Sequence, residues 1–585
     1  MEKLERSVKI TCTIGPACWD HDTLYAIAEA GMNVARLNFS HGDHESHGKT
    51  IANVRAVEQE RQQPIAVLLD TKGPEIRTGE LPGHGKIMLA ADTDFTLFFD
   101  KKTGDENGVY IDYPPLAREV SAGQNIFIDD GAINLEVLET SADGVKCRVI
   151  VGGELGEHKG VNVPGADLSV PTLTEKDIAD LRWGALHNVD YVAVSFVRNK
   201  EDIIEVRRIL EEAGASAKII AKMETRQSVD NIDEILDVVD GMMVARGDLG
   251  VEMNTEDVPM VQKEIIEKCR AQGKPVIVAT QMLDSMIRNP RPTRAEANDV
   301  ANAVIDGADA VMLSGETAGG KYPVEAVRTM NKIIMRTERD RELWRRKPRA
   351  TPAVCETADA VSHAARDIAK EVGAVAILSL TSTGGTARMV SKYRPPCPII
   401  AATPNLSTWR QLALVWGVQP FICPMTGELE KSVTNAVTLV TQEGLARTGD
   451  NIVITSGVPL GEPGSTNMLN VWRIGNVVGN GLSLGRRRLT AEAVKAFTPE
   501  EALLKAAPDK ILVIKKSGRE YIPALEKAGG VITEEAGLTT HAGVIALDRG
   551  VPFITGVRGI MDKVEDGVML TIDGVSGRVY MGRAV

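Results

Sequence analysis

A chain of 585 residues is longer than one ordinary core can serve, so three or four domains are expected, and a formal net charge of −13 argues against general nucleic-acid binding. Hydrophobic content of 43% and charged content of 25% are those of a globular protein, and no apolar run is long enough to cross a bilayer. The start, MEKLERSVKI, has no signal-peptide core, and the seven cysteines show neither a CxxC pair nor a metal spacing, which together point to a reducing cytoplasm.

Residues 1–70 alternate β-rich runs with amphipathic stretches: KITCTIG, MNVARLNF and PIAVLLD read as strands. From 71 to 166 the pattern changes to short runs broken by Gly, Pro and Asp, such as NIFIDDGAINLEVLE and VKCRVIVGGELG, the signature of a small all-β domain. The alternation resumes over 167–349 with a helix from Glu175, then DYVAVSF, AKIIAKM, GMMVARGD, KPVIVAT and ADAVMLS. Three strands, an insertion and five further strands predict a (β/α)₈ barrel of class α/β, with a β-rich lid leaving from the third strand. Residues 350–473 (AVAILSL, PIIAATP, NIVITSG) read as a doubly wound α/β domain. GRRRLTAEAV reads as a basic turn and linker, and 474–585 as a small C-terminal module with strands KILVI, GVITEE, PFITGV and VMLTIDG.

Chemistry in such a barrel sits on the residues just past each strand. Strand two ends in Arg36, Asn38 and Ser40, which alternation places on one face. Strand three ends in Asp70 and Thr71, with Glu75 and Arg77 just beyond. Lys222 and Glu224 end strand five, and Arg246, Gly247 and Asp248 end strand six, with one helix expected between them. Thr280 and Gln281 end strand seven; Ser314, Gly315 and Glu316 end strand eight. Glu224 and Asp248 form a hard oxygen pair suited to Mg²⁺ or Mn²⁺, and Lys222 beside them can neutralise charge developing on a substrate oxygen. A structural ion-pair network at a strand edge is the plain alternative.

The stretches TIGPA, ARLNFSHG, LLDTKGPEIRTG, KGVNVPG, ARGDLGVE, ATQML, RPTRAEANDVANAVIDGADAVMLSGETA and KYPVEAV resemble those of the pyruvate kinase family, over about residues 7–473. The resemblance implies a barrel with an inserted lid and a regulatory domain, and transfer of the phosphoryl group of phosphoenolpyruvate to ADP, giving pyruvate and ATP in glycolysis. It implies Glu224 and Asp248 as Mg²⁺ ligands, and Asn38, Ser40, Asp70 and the Thr71 carbonyl as a K⁺ site, with Glu75 marking K⁺ dependence. Arg36 and Arg77 match cations on the transferring group, Lys222 the catalytic lysine, and Lys159 a nucleotide-phosphate contact. The amides around Ala245, Arg246 and Gly247, with Asp248 and Thr280, match the substrate-binding cradle. Thr280, ordered water and the Ser314–Glu316 pair are all candidates for the proton donor to the enolate. A homotetramer is the assembly implied.

Thr381, Ser382, Thr383, Gly384, Gly385 and Thr386 run from a strand into a helix, where hydroxyls and free amides suit a phosphate. An ordinary glycine-rich turn would read the same; the resemblance implies an allosteric site for a phosphorylated effector, closed by Gly457–Pro459 and the Trp409–Arg410 region. The tail stretch EEAGLTTHAGVIALDRGVPFITGV resembles the phosphohistidine domain of phosphoenolpyruvate-utilising enzymes, with His541 at the phosphorylated place. With no loading domain visible, the expectation is a scaffold reached through a linker of about ten residues. A metal-dependent aldolase on the same barrel is the alternative reading, and it needs neither lid, monovalent site nor Lys159. A non-catalytic sugar-phosphate sensor is a third, at odds with intact Lys222, Glu224, Asp248 and Arg36.

Overall fold

The computed structural model describes residues 6–166, 168–340, 356–426, 428–447, 449–460, 464–484, 487–536 and 541–582. Eight parallel strands close a barrel: Lys9–Thr13, Val34–Asn38, Ala66–Asp70, Tyr191–Val194, Lys218–Met223, Gly241–Ala245, Val276–Ala279 and Ala310–Leu313, bonded in that order and back to the first. The surrounding helices start where their sequences say they should. Asp20, Asp43, Thr174, Asn199, Thr225 and Thr293 each accept the backbone amide three residues on, which satisfies a donor the helix leaves open. Between Lys222 and Asp248 stand two short helices, Arg226–Asp230 and Ile232–Val238, rather than the single one expected. The break falls at Asn231, whose side-chain amide donates to the Arg198 carbonyl at 2.9 Å, a bond that competes with helix continuation.

Strand parity organises the barrel. Val34, Ala66, Leu68, Ile220, Met243 and Ile277 fill its interior, while Ala35, Val67, Leu69, Ile219 and Val244 face the helices. Lid and barrel join where the third strand ends, and the lid's six-stranded sheet has its own core around Phe95, Leu97, Ile126 and Leu135. A cleft of about 320 Å³ separates lid from barrel, lined among others by Glu75, Asp130, Asn162, Phe196, Asp248 and Glu252.

The α/β domain has five strands in the order Val418–Ile422, Ile399–Thr403, Ala376–Leu380, Asn451–Gly457 and Thr466–Arg473, the last antiparallel to the rest. It docks on the barrel end opposite the lid. Ala413 and Leu414, from the turn Leu412–Leu414, complete the barrel's interior core, so that end is plugged by the neighbouring domain. Lys9 Nζ donates to the Val418 carbonyl at 2.7 Å, Tyr191 Oη to that of Gln411 at 2.6 Å, and Arg394 pairs with Asp309 at 2.9 Å across the same seam.

The C-terminal module is an eight-stranded mixed sheet. Two sequence expectations are corrected there. The described part of GRRRLTAEAV is a central strand, Arg488–Ala496, pairing with both Met569–Asp573 and Lys510–Ile514. Its alanines settle the matter: Ala491 and Ala493 bury on one face, Val494 and Ala496 in the core of the other. There is also no ten-residue linker, because only Ile474 and Gly475 stand between Thr466–Arg473 and the module's first strand, Asn476–Asn480. Arg578 ties the module back, donating to Thr434 Oγ1 at 3.1 Å and lying over the Trp472 ring. His541 begins the helix His541–Arg549; its side chain and residues 537–540 lie outside the described residues.

Candidate active site

The parity that fills the barrel also builds its mouth. Val34 faces inward, so Arg36 does two residues later; Ala66 and Leu68 lead to Asp70, and Ile220 leads to Lys222. Apolar side chains close the barrel floor and charged ones continue the same rows at the C-terminal ends. Ser40 lies past the end of strand two, in the next turn, and its amide donates to Asn38 Oδ1 at 3.1 Å.

Lys222 is the hub. Its ammonium lies 2.7 Å from Glu224 Oε1 and 3.2 Å from Asp70 Oδ1, and donates to Ser195 Oγ at 2.7 Å. Asp70 is fully buried and accepts Arg36 Nε at 2.6 Å, while Arg36 Nη1 donates to Thr13 Oγ1 at 2.9 Å. Burial alone would push Asp70 up and Lys222 down, but each is outweighed by the other and by neighbours. Arg36 and Lys222 hold the Asp70 carboxyl below its ordinary value; Asp70, Glu224 and Asp248 hold the ammonium above its own. Glu224 Oε2 accepts the Phe196 amide at 2.7 Å. Phe196 holds that amide in place with a φ of 55°, a left-handed conformation a phenylalanine adopts only under constraint. Gly73 makes room for this loop: at φ 71° it has the same handedness, and a Cβ there would meet Phe196 Cδ2 at 2.8 Å and Ser195 Cβ at 2.9 Å.

Asp248, in the short helix Arg246–Glu252, is half-buried and makes no salt bridge within the described residues. Burial, and then the Glu224 carboxylate, push its carboxyl up to about 7. Two carboxylates with one lysine between them are under-neutralised, and each oxygen keeps a lone pair beyond these contacts. That donor set fits a hard divalent cation. No cluster of three or more His, Cys, Asp or Glu at ligand spacing occurs among the described residues.

The remaining site residues divide by their present partners. Arg77 is paired through both Nε and Nη2 with Glu75 Oε2 and donates to the His158 carbonyl at 2.8 Å. Lys159 pairs with Asp129 at 2.8 Å, and Arg77 and Lys159 stand on adjacent lid segments, bridged by Arg77 and Gly160. The Arg246 side chain is engaged elsewhere: Nη1 meets Asp299 at 2.7 Å and Nη2 the Thr280 carbonyl at 2.8 Å, which leaves its backbone at the strand end. Gly247 donates its amide to Thr280 Oγ1 at 2.8 Å, and a Cβ there would find its nearest atom at 3.6 Å, so the protein's own packing does not demand the glycine. Thr280 and Gln281 both have positive φ, at 68° and 55°. Glu316 is buried, accepts the amides of Leu283 and Ser314 at 3.0 and 2.7 Å, and is pushed up by burial. It thus joins the ends of strands seven and eight.

Strands one and four carry site residues that sequence reasoning passes over. Thr13 orients Arg36, and Ser195 and Phe196 orient Lys222 and Glu224. The signal is present in DYVAVSF, where an apolar strand ends in a hydroxyl as strands two, three, seven and eight do.

In the α/β domain, the loop Thr381–Thr386 lines a small hollow with Ser456, Gly457 and Leu460. Thr381 Oγ1 accepts the Gly384 amide at 2.9 Å and Thr386 Oγ1 pairs with Thr466 Oγ1 at 2.8 Å, which leaves the hydroxyls of Ser382 and Thr383 facing the hollow without a protein partner among the described residues. Gly384 takes φ 82° to turn the strand into the helix Gly385–Lys392. The Trp409–Arg410 region does not close this hollow. Trp409 Nε1 donates to the Pro420 carbonyl, and Arg410 reaches to the barrel, where it forks onto Glu58 at 2.6–3.1 Å. Asn405 and Thr408 contact the loop instead, both donating to the Ser382 carbonyl at 2.8 Å.

Comparison with known proteins agrees with this construction. Residues 5–327 match the pyruvate kinase barrel domain, 359–472 the pyruvate kinase alpha/beta domain, and 506–577 the mobile domain of PEP-utilising enzymes. The chain is 47% identical to a pyruvate kinase of Geobacillus stearothermophilus, with 99% of this chain and 100% of that one covered. It is 46% identical to one of Bacillus licheniformis and 44% identical to one of Staphylococcus aureus strain MRSA252, each with 99% of both chains covered. Barrel, lid and charged mouth therefore define a phosphotransferase. The chain belongs to the pyruvate kinase family, in the form that carries an additional C-terminal module of the PEP-utilising type. No helix among the described residues is long and apolar enough to cross a membrane.

The raised Asp248 carboxyl has a consequence for the metal-free protein. An unfolded aspartate titrates near about 3.9. A folded value near 7 stabilises the fold fully below about 3.9, and that contribution is lost as pH climbs through about 7. In chelator-containing buffer, the Tm of Asp248→Asn should gain on that of the wild type as pH rises from about 5 to about 8. A difference constant with pH would show that Asp248 is not held protonated by its surroundings.

Proposed function

We propose that this chain transfers the phosphoryl group of phosphoenolpyruvate to ADP, forming ATP and the enolate that becomes pyruvate. The observation that carries the reading is the Lys222 ammonium, held between Asp70, Glu224 and Ser195 at the barrel mouth beside Arg36 and Asp248. Phosphoryl transfer makes little covalent demand on a protein and is catalysed chiefly by positioning and charge stabilisation. Glu224 and Asp248 would hold Mg²⁺ or Mn²⁺, which when bound supplies Lewis-acid stabilisation of phosphoryl and enol oxygens. Two carboxylates alone would leave room at such a cation for substrate and water.

Arg36 and Lys222 offset the charge on the moving phosphoryl group and on the enol oxygen it leaves. The amides at Ala245, Arg246 and Gly247, with Thr280, receive the substrate carboxylate; the glycine is kept for close approach, since the protein's own contacts leave space there. Arg77 and Lys159 bind nucleotide phosphates by exchanging their present carboxylates, Glu75 and Asp129, for phosphate oxygens. Asn38, Ser40, Asp70 and the Thr71 carbonyl would hold K⁺, and the lid would exclude water. The metal-dependent aldolase reading leaves Lys159, the lid and the Asn38–Thr71 group without work.

The second part of the proposal is allosteric control by a phosphorylated metabolite at Ser382 and Thr383, in a homotetramer. A continuous route supports it. The Ser382 carbonyl holds helix Leu406–Gln411; Arg410 on that helix grips Glu58; Glu58 pairs with Arg55 at 3.0 Å, and Arg55 with Asp190 at 2.8 Å. Asp190 Oδ2 accepts the amide of Val67 at 2.7 Å, on the strand that ends in Asp70. An effector can shift activity only by preferring one arrangement of such a route.

Pyruvate formation from phosphoenolpyruvate and ADP, coupled to lactate dehydrogenase, tests the activity directly. Glu224→Gln and Asp248→Asn should each lower turnover by at least about a thousandfold with the fold retained, since each leaves one carboxylate for the cation. Near-wild-type turnover in either variant would remove the metal assignment.

Regulation makes a separate prediction. A phosphorylated activator should convert sigmoidal substrate curves toward hyperbolic ones, and Thr383→Glu should abolish the response. Arg410→Ala should leave effector binding in place and weaken its effect on activity. A screen of sugar phosphates and nucleoside monophosphates that moves nothing would reduce the loop to a turn.

A further inference from the structure

We propose that Ser195 is a positioning residue for Lys222 and couples that lysine to the Thr71 carbonyl. The proposal rests on the assignment of Lys222 and of the Thr71 carbonyl given under Proposed function, and deepens it.

An ammonium has three protons and no acceptor. Those of Lys222 are all spoken for, by Glu224 Oε1 at 2.7 Å, Ser195 Oγ at 2.7 Å and Asp70 Oδ1 at 3.2 Å. The three partners come from the ends of three adjacent strands, so they triangulate the nitrogen. Two carboxylates alone would leave it free to swing about the line joining them. The third partner is neutral, and it fixes position without removing positive charge that the reaction needs.

The lysine also dictates which way the serine points. Ser195 Oγ accepts from Lys222, so its single proton must go elsewhere. The Thr71 carbonyl receives it at 2.8 Å; Asp70 Oδ1, at 3.5 Å, is too far to compete. A directed chain results, from ammonium to hydroxyl to carbonyl. Thr71 itself is clamped to the fourth strand as well. The Ser195 amide donates to Thr71 Oγ1 at 3.1 Å, and the Thr71 amide to the Ala193 carbonyl at 3.0 Å. Ser195 is 2% exposed, and its Cβ packs where Gly73 has no side chain. The hydroxyl therefore has one place to be.

A carbonyl oxygen has two lone pairs. Ser195 occupies one on Thr71, and the other is the one a monovalent cation would use. The cation would thus bear on the Thr71 oxygen directly and Lys222 on it through Ser195, so that loosening one loosens the other.

The test is Ser195→Ala in the full-length enzyme, with Ser195→Cys as a companion that fills the site with a slightly larger side chain but is a poor hydrogen-bond partner. Circular dichroism and Tm establish folding, and the cysteine variant serves alone if the alanine variant does not fold. The turnover number should fall about tenfold to a hundredfold, the effect of a small misplacement of a charged group. The KM for phosphoenolpyruvate should change by less than about threefold, because ground-state contacts remain. The K⁺ concentration for half-activation should rise about fivefold or more. A kcat within about twofold of wild type in a folded variant overturns the positioning role. A fall in kcat with an unchanged K⁺ requirement overturns the coupling to Thr71. If wild-type enzyme is indifferent to replacing K⁺ by tetramethylammonium, the monovalent assignment itself fails and the coupling with it; the kcat comparison still decides the tie to Lys222.

Discussion

Four charged side chains at the barrel mouth are taken out of water together: Arg36, Asp70, Lys222 and Glu224. A buried charge is tolerated only when paired and hydrogen-bonded, and removing one partner typically costs about 3–5 kcal/mol. The rest of the site is shaped by satisfying that cluster. Phe196 is held at positive φ because its amide must reach Glu224, Gly73 is a glycine because that loop needs its space, and Thr13 stands where Arg36 needs an acceptor. Beside the cluster, Asp248 makes no salt bridge among the described residues, and burial together with the Glu224 carboxylate raises its pKa. A pre-paired cluster beside an uncompensated acid is an electrostatic arrangement that suits a cation.

The two ends of the barrel have different tasks. At the lid side, strand rows end in charge. At the other, they end in Ala413 and Leu414 of the α/β domain, and in a seam of polar contacts from Lys9, Tyr191, Arg394 and Glu58. Helix Leu406–Gln411 meets the starts of strands three and four through the chain Arg410, Glu58, Arg55 and Asp190, and through the Gln411 carbonyl on Tyr191. Those two strands end in Asp70 and Ser195. The C-terminal module stands apart from this axis: it joins the α/β domain through two residues and contacts it through Arg578.

Much of this is legible in the sequence. Strand order, the insertion after Asp70 and the charged strand ends can be read because period-two rows and glycine-bounded loops are local signals. Arg36, Asp70, Lys222, Glu224 and Asp248 stand out because charged residues at strand ends contrast with an apolar row. Ser195 and Phe196 escape notice because a serine and a phenylalanine at a strand end look ordinary, and their roles depend on a backbone twist and on lysine from another strand. Arg410 is misplaced by sequence for a related reason. Proximity along the chain puts it near the effector loop, but a buried Glu58, 352 positions away, captures it. The strand Arg488–Ala496 reads as a linker because three arginines mask the alternation beyond them.

Glu224 and Asp248 are the two carboxylates proposed to share one divalent cation, at the point where the protein's own charges leave Asp248 without a salt bridge among the described residues. Titration of the full-length protein with Mn²⁺, tracked by electron paramagnetic resonance of the free ion, measures this most directly. One site per chain is expected, at which Mg²⁺ competes, lost in Asp248→Asn and in Glu224→Gln while both variants keep the wild-type fold. Retention of that site with unchanged affinity in either variant would contradict it.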